Sequence, residues 1–244
     1  MDPALIEVRI HEVREHIADA ANRAGRNPED VLLIAVSKTY GMDAIDAACE
    51  AGVRNFGENR VEEAAIKIPI SNGKLPADIT WHMIGHIQSR KTSEVSALFQ
   101  WVHSADRVKI ARRLSDAAGE VGQVLEVLLE VNVSGEESKS GFDLSKWPND
   151  PKHYSDLMNE IETMLAFPGI RVQGLMTMAP YSADPESARP LFRRLRELRD
   201  ALREQFPQVA WTHLSMGMTA DYEVAVEEGA TMVRVGTAIF GPRS

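Results

Sequence analysis

The sequence predicts an α/β fold, a single (β/α)8 TIM barrel with an extra N-terminal helix, forming one domain over residues 1–244. Three observations carry that expectation. Runs of β-prone apolar residues recur without polar alternation, as in parallel strands covered on both faces. Eight such runs alternate with helix-like stretches. With about 30 residues set aside for a leading helix, roughly 27 remain for each of eight units, which suits a compact barrel with few insertions. No Gly-x-Gly-x-x-Gly follows the first run, so an open dinucleotide-binding sheet fits less well.

In chain order, Ile6, Ile10, Val13 and Ile17 recur among Glu, Arg and His at the spacing of an amphipathic helix. Gly25-Arg26-Asn27-Pro28 ends it. The first strand is expected over 31–36, the others over 53–56, 79–84, 99–103, 124–133, 170–176, 209–214 and 231–235. Helices are clearest at 107–118 and 185–206; in the second, Ala188, Leu191, Phe192, Leu195, Leu198 and Leu202 share a face. Residues 138–154, around Trp147-Pro148-Asn149-Asp150-Pro151, form the expected long loop of the active face.

The charge balance of 27 Lys and Arg against 36 Asp and Glu, a net −9, argues against nucleic acid as a partner, because no basic excess exists to release counterions. A small anionic ligand held by a few local groups stays open. No run of about 18 apolar residues can span a bilayer. The N-terminus also lacks the basic-then-apolar pattern of a signal peptide, so a cytoplasmic protein with no membrane contact is expected. The single cysteine, Cys49, excludes an intramolecular disulfide framework and reads as a packed helix residue. His82 and His86 are four apart but on a strand, so no metal site is expected from them. The charges of Arg193-Arg194-Leu195-Arg196-Glu197-Leu198-Arg199 read as a solvated helix face.

In barrels of this class the reactive groups collect where strands end, and phosphates often bind after strands seven and eight. The first strand ends in Val36-Ser37-Lys38-Thr39. A lysine there loses hydration, which makes the neutral amine accessible for attack on a carbonyl; a salt-bridged or phosphate-gripping lysine is the alternative. The seventh strand runs into Leu214-Ser215-Met216-Gly217-Met218-Thr219 and the eighth into Arg234-Val235-Gly236-Thr237. Both turns offer glycine-exposed N–H groups beside a hydroxyl, the equipment of a phosphate cradle, although Gly and Thr are also ordinary turn residues. Closure of the barrel brings the eighth strand beside the first, so a phosphate at Ser215, Gly236 and Thr237 would lie within reach of Lys38. Pyridoxal 5'-phosphate (PLP) has a phosphate at one end and an aldehyde at the other. Arg234 shares the face of Gly236. A donor-only guanidinium opposite a pyridine nitrogen would keep that nitrogen unprotonated, while an ion pair with Asp221 is the plainer alternative.

Leu33-Ile34-Ala35-Val36-Ser37-Lys38-Thr39, Asn55-Phe56-Gly57-Glu58-Asn59, Trp81-His82-Met83-Ile84-Gly85-His86-Ile87-Gln88, Ser134-Gly135-Glu136-Glu137-Ser138-Lys139-Ser140-Gly141, Gly174-Leu175-Met176-Thr177 and the two turns above cover almost the whole chain in order. Together they resemble the pyridoxal phosphate homeostasis (YggS/PROSC) family. The resemblance implies a barrel like the N-terminal domain of alanine racemase, with PLP as an aldimine on Lys38. It also implies phosphate contacts at Ser215, Gly236 and Thr237, Arg234 near the pyridine nitrogen, Asn59 near the cofactor, and Lys139 as a second PLP contact or a solvated loop charge.

The related racemases add a C-terminal β domain and use a partner's tyrosine opposite the lysine. Only Gly241-Pro242-Arg243-Ser244 follows the eighth strand, and none of Tyr40, Tyr154, Tyr181 or Tyr222 clearly supplies a second acid or base. The expectation is therefore a monomeric PLP holder without a catalytic residue, buffering or delivering PLP within the cell, with PLP-dependent apo-enzymes as recipients. A one-domain PLP-dependent amino-acid racemase is the alternative, and a Schiff-base aldolase acting through Lys38 is a third.

Overall fold

The computed structural model describes residues 2–136, 139–144 and 147–242. Glu137 and Ser138 of the glycine-bounded motif, Ser145 and Lys146 of the expected 138–154 loop, and Arg243 and Ser244 after the eighth strand lie outside the described residues.

Helix α1 (Pro3–Arg23) starts where Asp2 accepts a hydrogen bond from the Ala4 N–H at 3.1 Å, with Pro3 in the first turn. Its buried stripe of Ile6, Ile10, Val13, Ile17, Ala20 and Ala21 packs against α2 (Met42–Glu50), α8 (Tyr222–Glu227) and α9 (Thr237–Phe240). The leading helix thus covers the seam where first and last units meet.

Among the described residues, eight parallel strands close into a barrel: β1 (Leu32–Val36), β2 (Asn55–Glu58), β3 (Thr80–Met83), β4 (Trp101–Ala105), β5 (Leu125–Asn132), β7 (Ile170–Met176), β8 (His213–Ser215) and β9 (Met232–Val235). Each pairs with its neighbour in that order, β9 pairs with β1, and β4 pairs with β5, so no edge is left. The predicted alternation holds, and 170–176 coincides with β7. Two differences have local causes. The 209–214 expectation starts too early because Val209 is turned back by its N–H bond to the Phe206 carbonyl and Trp211 sits at φ 49°, leaving β8 three residues. Within the expected loop, β6 (Phe142–Asp143) adds a short parallel pairing to Val131 and Asn132 at the end of β5.

Of the remaining helices, α3 (Val61–Ser71), α4 (Thr92–Leu98), α5 (Val108–Glu120) and α6 (Pro151–Leu165) connect successive strands, and α7 (Arg189–Gln205) fills most of the expected 185–206 helix behind a short 3-10 turn. The arginines of α7 are not merely solvated: Arg189, Arg193 and Arg196 converge on the buried Glu228 carboxylate at 3.2, 2.9 and 3.1 Å. That network ties α7 to the end of α8.

Candidate functional site

Parallel register fixes the site's first distance. Ala35 pairs with Val235, so the residues that follow, Val36 and Gly236, lie side by side at the carboxyl ends of β1 and β9. A Cβ on Gly236 would sit 3.3 Å from both the Cβ and the carbonyl oxygen of Val36. The glycine therefore lets the β9 turn lie against the strand that delivers Lys38. A latch further along reinforces this: the Tyr40 hydroxyl donates to the Gly241 carbonyl at 2.7 Å, and its ring lies 4.9 Å from that of Phe240. Lys38 is half-buried between Ser37 and Thr39, while Thr237 is exposed at the start of α9.

Beneath Lys38 is a buried polar cluster that the strand pattern did not assign to the site. The Ser37 hydroxyl donates to Glu58 Oε1 at 2.7 Å. Lys67, reaching back from α3, donates to the same oxygen and to the Ser37 carbonyl, both at 2.8 Å. Glu63 accepts from the Thr39 N–H at 2.8 Å. The residues on both sides of Lys38 are thereby clamped. Burial pushes the Glu58 carboxyl up from the usual range, against the pull of Lys67 and Ser37, and its Oε2 has no hydrogen-bond partner among the described residues.

On the other side of the closure, Arg234 is buried on β9 and donates through Nη1 to the Ser215 hydroxyl and through Nη2 to the Thr177 carbonyl at 2.9 Å. Burial pushes its pKa down to about 10, while the charges of Asp221 and Glu130 pull the other way, so the guanidinium stays charged at neutral pH. The sequence alternative of an Arg234–Asp221 ion pair is not formed within 4 Å among the described residues; Asp221 instead accepts from the Met218 N–H at 2.6 Å and caps the β8 turn. Gly217, at φ 92°, accepts from the Arg234 N–H at 3.0 Å, and a Cβ there would meet that of Ala225 at 2.6 Å, so this turn requires glycine.

Ser215 is fully buried, and its hydroxyl lies 2.8 Å from His103 Nδ1 as well as against Arg234. His103 Nε2 lies 3.0 Å from His82 Nδ1, and His82 Nε2 lies 3.0 Å from Asn55 Oδ1. Burial, with a smaller effect of His213, pushes His82 down to about 3; burial, helped by His82, Arg234 and His213, holds His103 well below the usual histidine range. Both shifts favour the neutral imidazole.

The structure brings Lys38, Gly236 and Thr237 to one seam, with Arg234 and Ser215 just inside it. Asn59 lies apart, half-buried in the β2–α3 connection against Gly85, and shares an open cleft of about 470 Å³ with Met83, His86, Gln88 and Lys91. Lys139 links the ends of the neighbouring strands β5 and β7: its ammonium donates to the Met178 carbonyl and pairs with Glu136, each at 2.9 Å. At the β4 and β5 ends, burial and the neighbouring Asp106 charge push Glu130 up to about 7, against the opposing pull of Arg234. Asp106 itself is raised by burial despite Arg107 and His86, the latter at 3.2 Å.

Three kinds of comparison bear on this arrangement. The alanine racemase N-terminal domain family matches residues 8–244. Pyridoxal phosphate homeostasis proteins from Aquifex aeolicus and Pseudomonas aeruginosa are 41% and 43% identical over 96% and 98% of this chain, covering 97% and 96% of their own lengths. PipY from Synechococcus elongatus, in a structure with PLP bound, superposes with a TM-score of 0.81 at 36% identity over 97% of this chain and 100% of its own. Alanine racemase from Clostridium difficile matches with a TM-score of 0.71 at 14% identity, covering 98% of this chain and 56% of that one, a likeness of fold alone.

Proposed function

The chain belongs to the pyridoxal phosphate homeostasis family, built on the alanine racemase N-terminal domain, and from that premise we propose that it holds PLP and buffers or delivers it without a catalytic cycle of its own. The observation that carries this reading is the packing of the Gly236 turn on the end of β1. One small ligand can then place a phosphate at Gly236 and Thr237 and a carbonyl carbon at the Lys38 amine.

The residues fit such a ligand. The Gly236–Thr237 backbone and the exposed Thr237 hydroxyl suit a phosphate at the head of α9. When bound, PLP supplies an electrophilic aldehyde that an amine captures reversibly. Lys38, clamped on both sides by the Glu58–Lys67–Glu63 cluster, presents that amine. Arg234 has only donors to offer a ring nitrogen, which would keep that nitrogen unprotonated and the ring a weak electron sink. Ser215 serves the phosphate directly only if its hydroxyl turns away from Arg234 and His103; in its present rotamer it orients Arg234. Asn59, in its own cleft, and Lys139, on the loop after β5, are the outer candidates, Lys139 as a second PLP contact or transfer point.

Support for holding over turnover comes from the tyrosines. The Tyr40 hydroxyl is spent on Gly241 and that of Tyr222 lies 3.0 Å from His16 Nδ1, so neither is aimed at Lys38 as a second acid or base. A protein of one domain over residues 1–244, monomeric and cytoplasmic, handing PLP to apo-enzymes, completes the proposal. No helix among the described residues is long and apolar enough to cross a membrane.

The absorbance spectrum of the protein mixed with PLP, recorded before and after an amino acid is added, tests this reading. A band near the visible edge that borohydride fixes at Lys38, with no exchange of the amino acid's α-hydrogen with solvent, is the expected result. Retention of the same reducible adduct in Lys38→Ala would overturn the assignment. Exchange at a useful rate would make the protein a one-domain racemase, and trapping of a phosphorylated sugar in place of PLP would make it an aldolase.

A further inference from the structure

A chain of buried polar groups crosses the barrel interior from the first residue of β2 to Arg234: Asn55, His82, His103, Ser215, Arg234. Its members come from β2, β3, β4, β8 and β9, and His82, His103 and Ser215 are fully buried, so water cannot substitute for a missing partner.

We infer that Asn55, His82, His103 and Ser215 form a hydrogen-bond relay of fixed direction that sets both imidazole tautomers and holds Arg234 in its orientation toward the ligand. The direction follows from the arginine. A guanidinium can only donate, so the Ser215 oxygen accepts from it and the hydroxyl proton is free to go to His103 Nδ1. His103 must then carry its proton on Nε2, where it donates to His82 Nδ1. His82 in turn carries its proton on Nε2 and donates to Asn55 Oδ1. Each contact from Arg234 to Asn55 then joins one donor to one acceptor. The reverse direction strands the Ser215 proton and turns the amide of Asn55 around.

An additional proton on either ring has no place. Protonating His82 at Nδ1 would set two N–H groups facing each other across 3.0 Å. Near His103, Arg234 and His213 add further repulsion. The relay thus requires two neutral imidazoles, and its arginine end carries the single positive charge. Without the Ser215 acceptor, Arg234 keeps its anchor at the Thr177 carbonyl but loses the second point that fixes the plane of the guanidinium. These four are positioning residues. That Arg234 meets a pyridine nitrogen rests on the PLP reading; the relay itself does not.

The test is histidine-nitrogen NMR on the full-length protein, without and with PLP, beside PLP titrations of variants. The relay predicts that His82 and His103 are both neutral Nε2–H tautomers that do not titrate between pH 5 and 8. Ser215→Ala should shift the His103 nitrogens and weaken PLP binding about tenfold, the scale of one hydrogen bond to a charged group. Lys38 should still be fixed by borohydride. His103→Leu should weaken binding similarly, whereas His103→Gln, which keeps an acceptor and a donor, should restore most of it. An Nδ1–H tautomer or an imidazolium at either position in the unmodified protein overturns the relay, even if the variants do not fold. Unchanged His103 nitrogens and PLP affinity in Ser215→Ala overturn it as well. The expected tautomers in a protein that binds no PLP would uphold the relay and remove the PLP reading.

Discussion

The two sides of the seam bury charge in opposite ways. Under Lys38 the Lys67 ammonium lies 2.8 Å from Glu58 and 3.4 Å from Glu63, so a cation is met by opposite charge inside one cluster. Around Arg234 one cation is held by neutral groups, the Ser215 hydroxyl and the Thr177 carbonyl, with two neutral imidazoles behind them and the Glu130 and Asp221 carboxyls acting only at a distance. The first arrangement is vulnerable to losing a partner. The second is vulnerable to gaining a proton.

Acid should therefore expose the Arg234 side first. His82 has a pKa of about 3 in the folded protein against an ordinary value near 6.5. Below pH 6.5 the unfolded chain takes up a proton that the folded one refuses, so stability falls as pH drops from 6.5 toward 3. The full difference is about 5 kcal/mol for this group. Glu130 acts in the opposite sense: with a folded pKa of about 7 against 4.5, it costs stability as pH rises from 4.5 to 7, by about 3 kcal/mol. Urea unfolding at a series of pH values should show the two trends partly cancelling between pH 4.5 and 6.5. Glu130→Gln should steepen the acid loss and raise stability at pH 8. A Glu130→Gln curve that superposes on the parent would contradict the assignment.

Removing a partner tests the Lys38 side. Lys67→Met leaves Glu58 buried without its counter-charge and should cost about 3–5 kcal/mol, seen as a lower urea midpoint. Adding Glu58→Gln in the same chain should return much of that loss, since the orphaned charge is then gone. A double variant as unstable as Lys67→Met alone would mean that packing, not charge pairing, dominates there.

These two clusters also mark where sequence reasoning stopped. Lys38, Gly236 and Thr237 were legible because their positions at strand ends follow from the apolar runs alone, and barrel closure supplies their neighbourhood. The meeting of Glu58 with Lys67 and of His82 with His103 is not legible in the sequence. Glu58 and His82 both stand inside motifs that carry the family resemblance, but strand pattern reports which face a side chain takes and not which inward groups meet. Whether His82 faces His103 depends on the β3–β4 register, which pairs His82 with Trp101, a fact of tertiary structure. Ser215 shows the same limit: its place at the end of β8 follows from the apolar run, but the engagement of its hydroxyl by Arg234 and His103 does not.

The smallest predicted effect lies where the two sides touch. Gly236 has φ −116°, outside the left-handed region that favours glycine, so replacing it does not meet the strain that Gly217 imposes. The cost comes only from a Cβ pressing at 3.3 Å on Val36, a contact that a shift of a few tenths of an ångström relieves. Gly236→Ala should therefore fold with a loss of about 1 kcal/mol or less. That shift moves the β9 turn away from the strand bearing Lys38, so PLP affinity should fall several-fold while the thermal midpoint barely changes. Gly217→Ala is the contrasting control: at φ 92° and 2.6 Å from the Ala225 Cβ it should lower the midpoint clearly. If Gly236→Ala left PLP binding untouched, the phosphate would have to lie away from this turn, and the seam between β1 and β9 would be a packing joint with no part in holding the ligand.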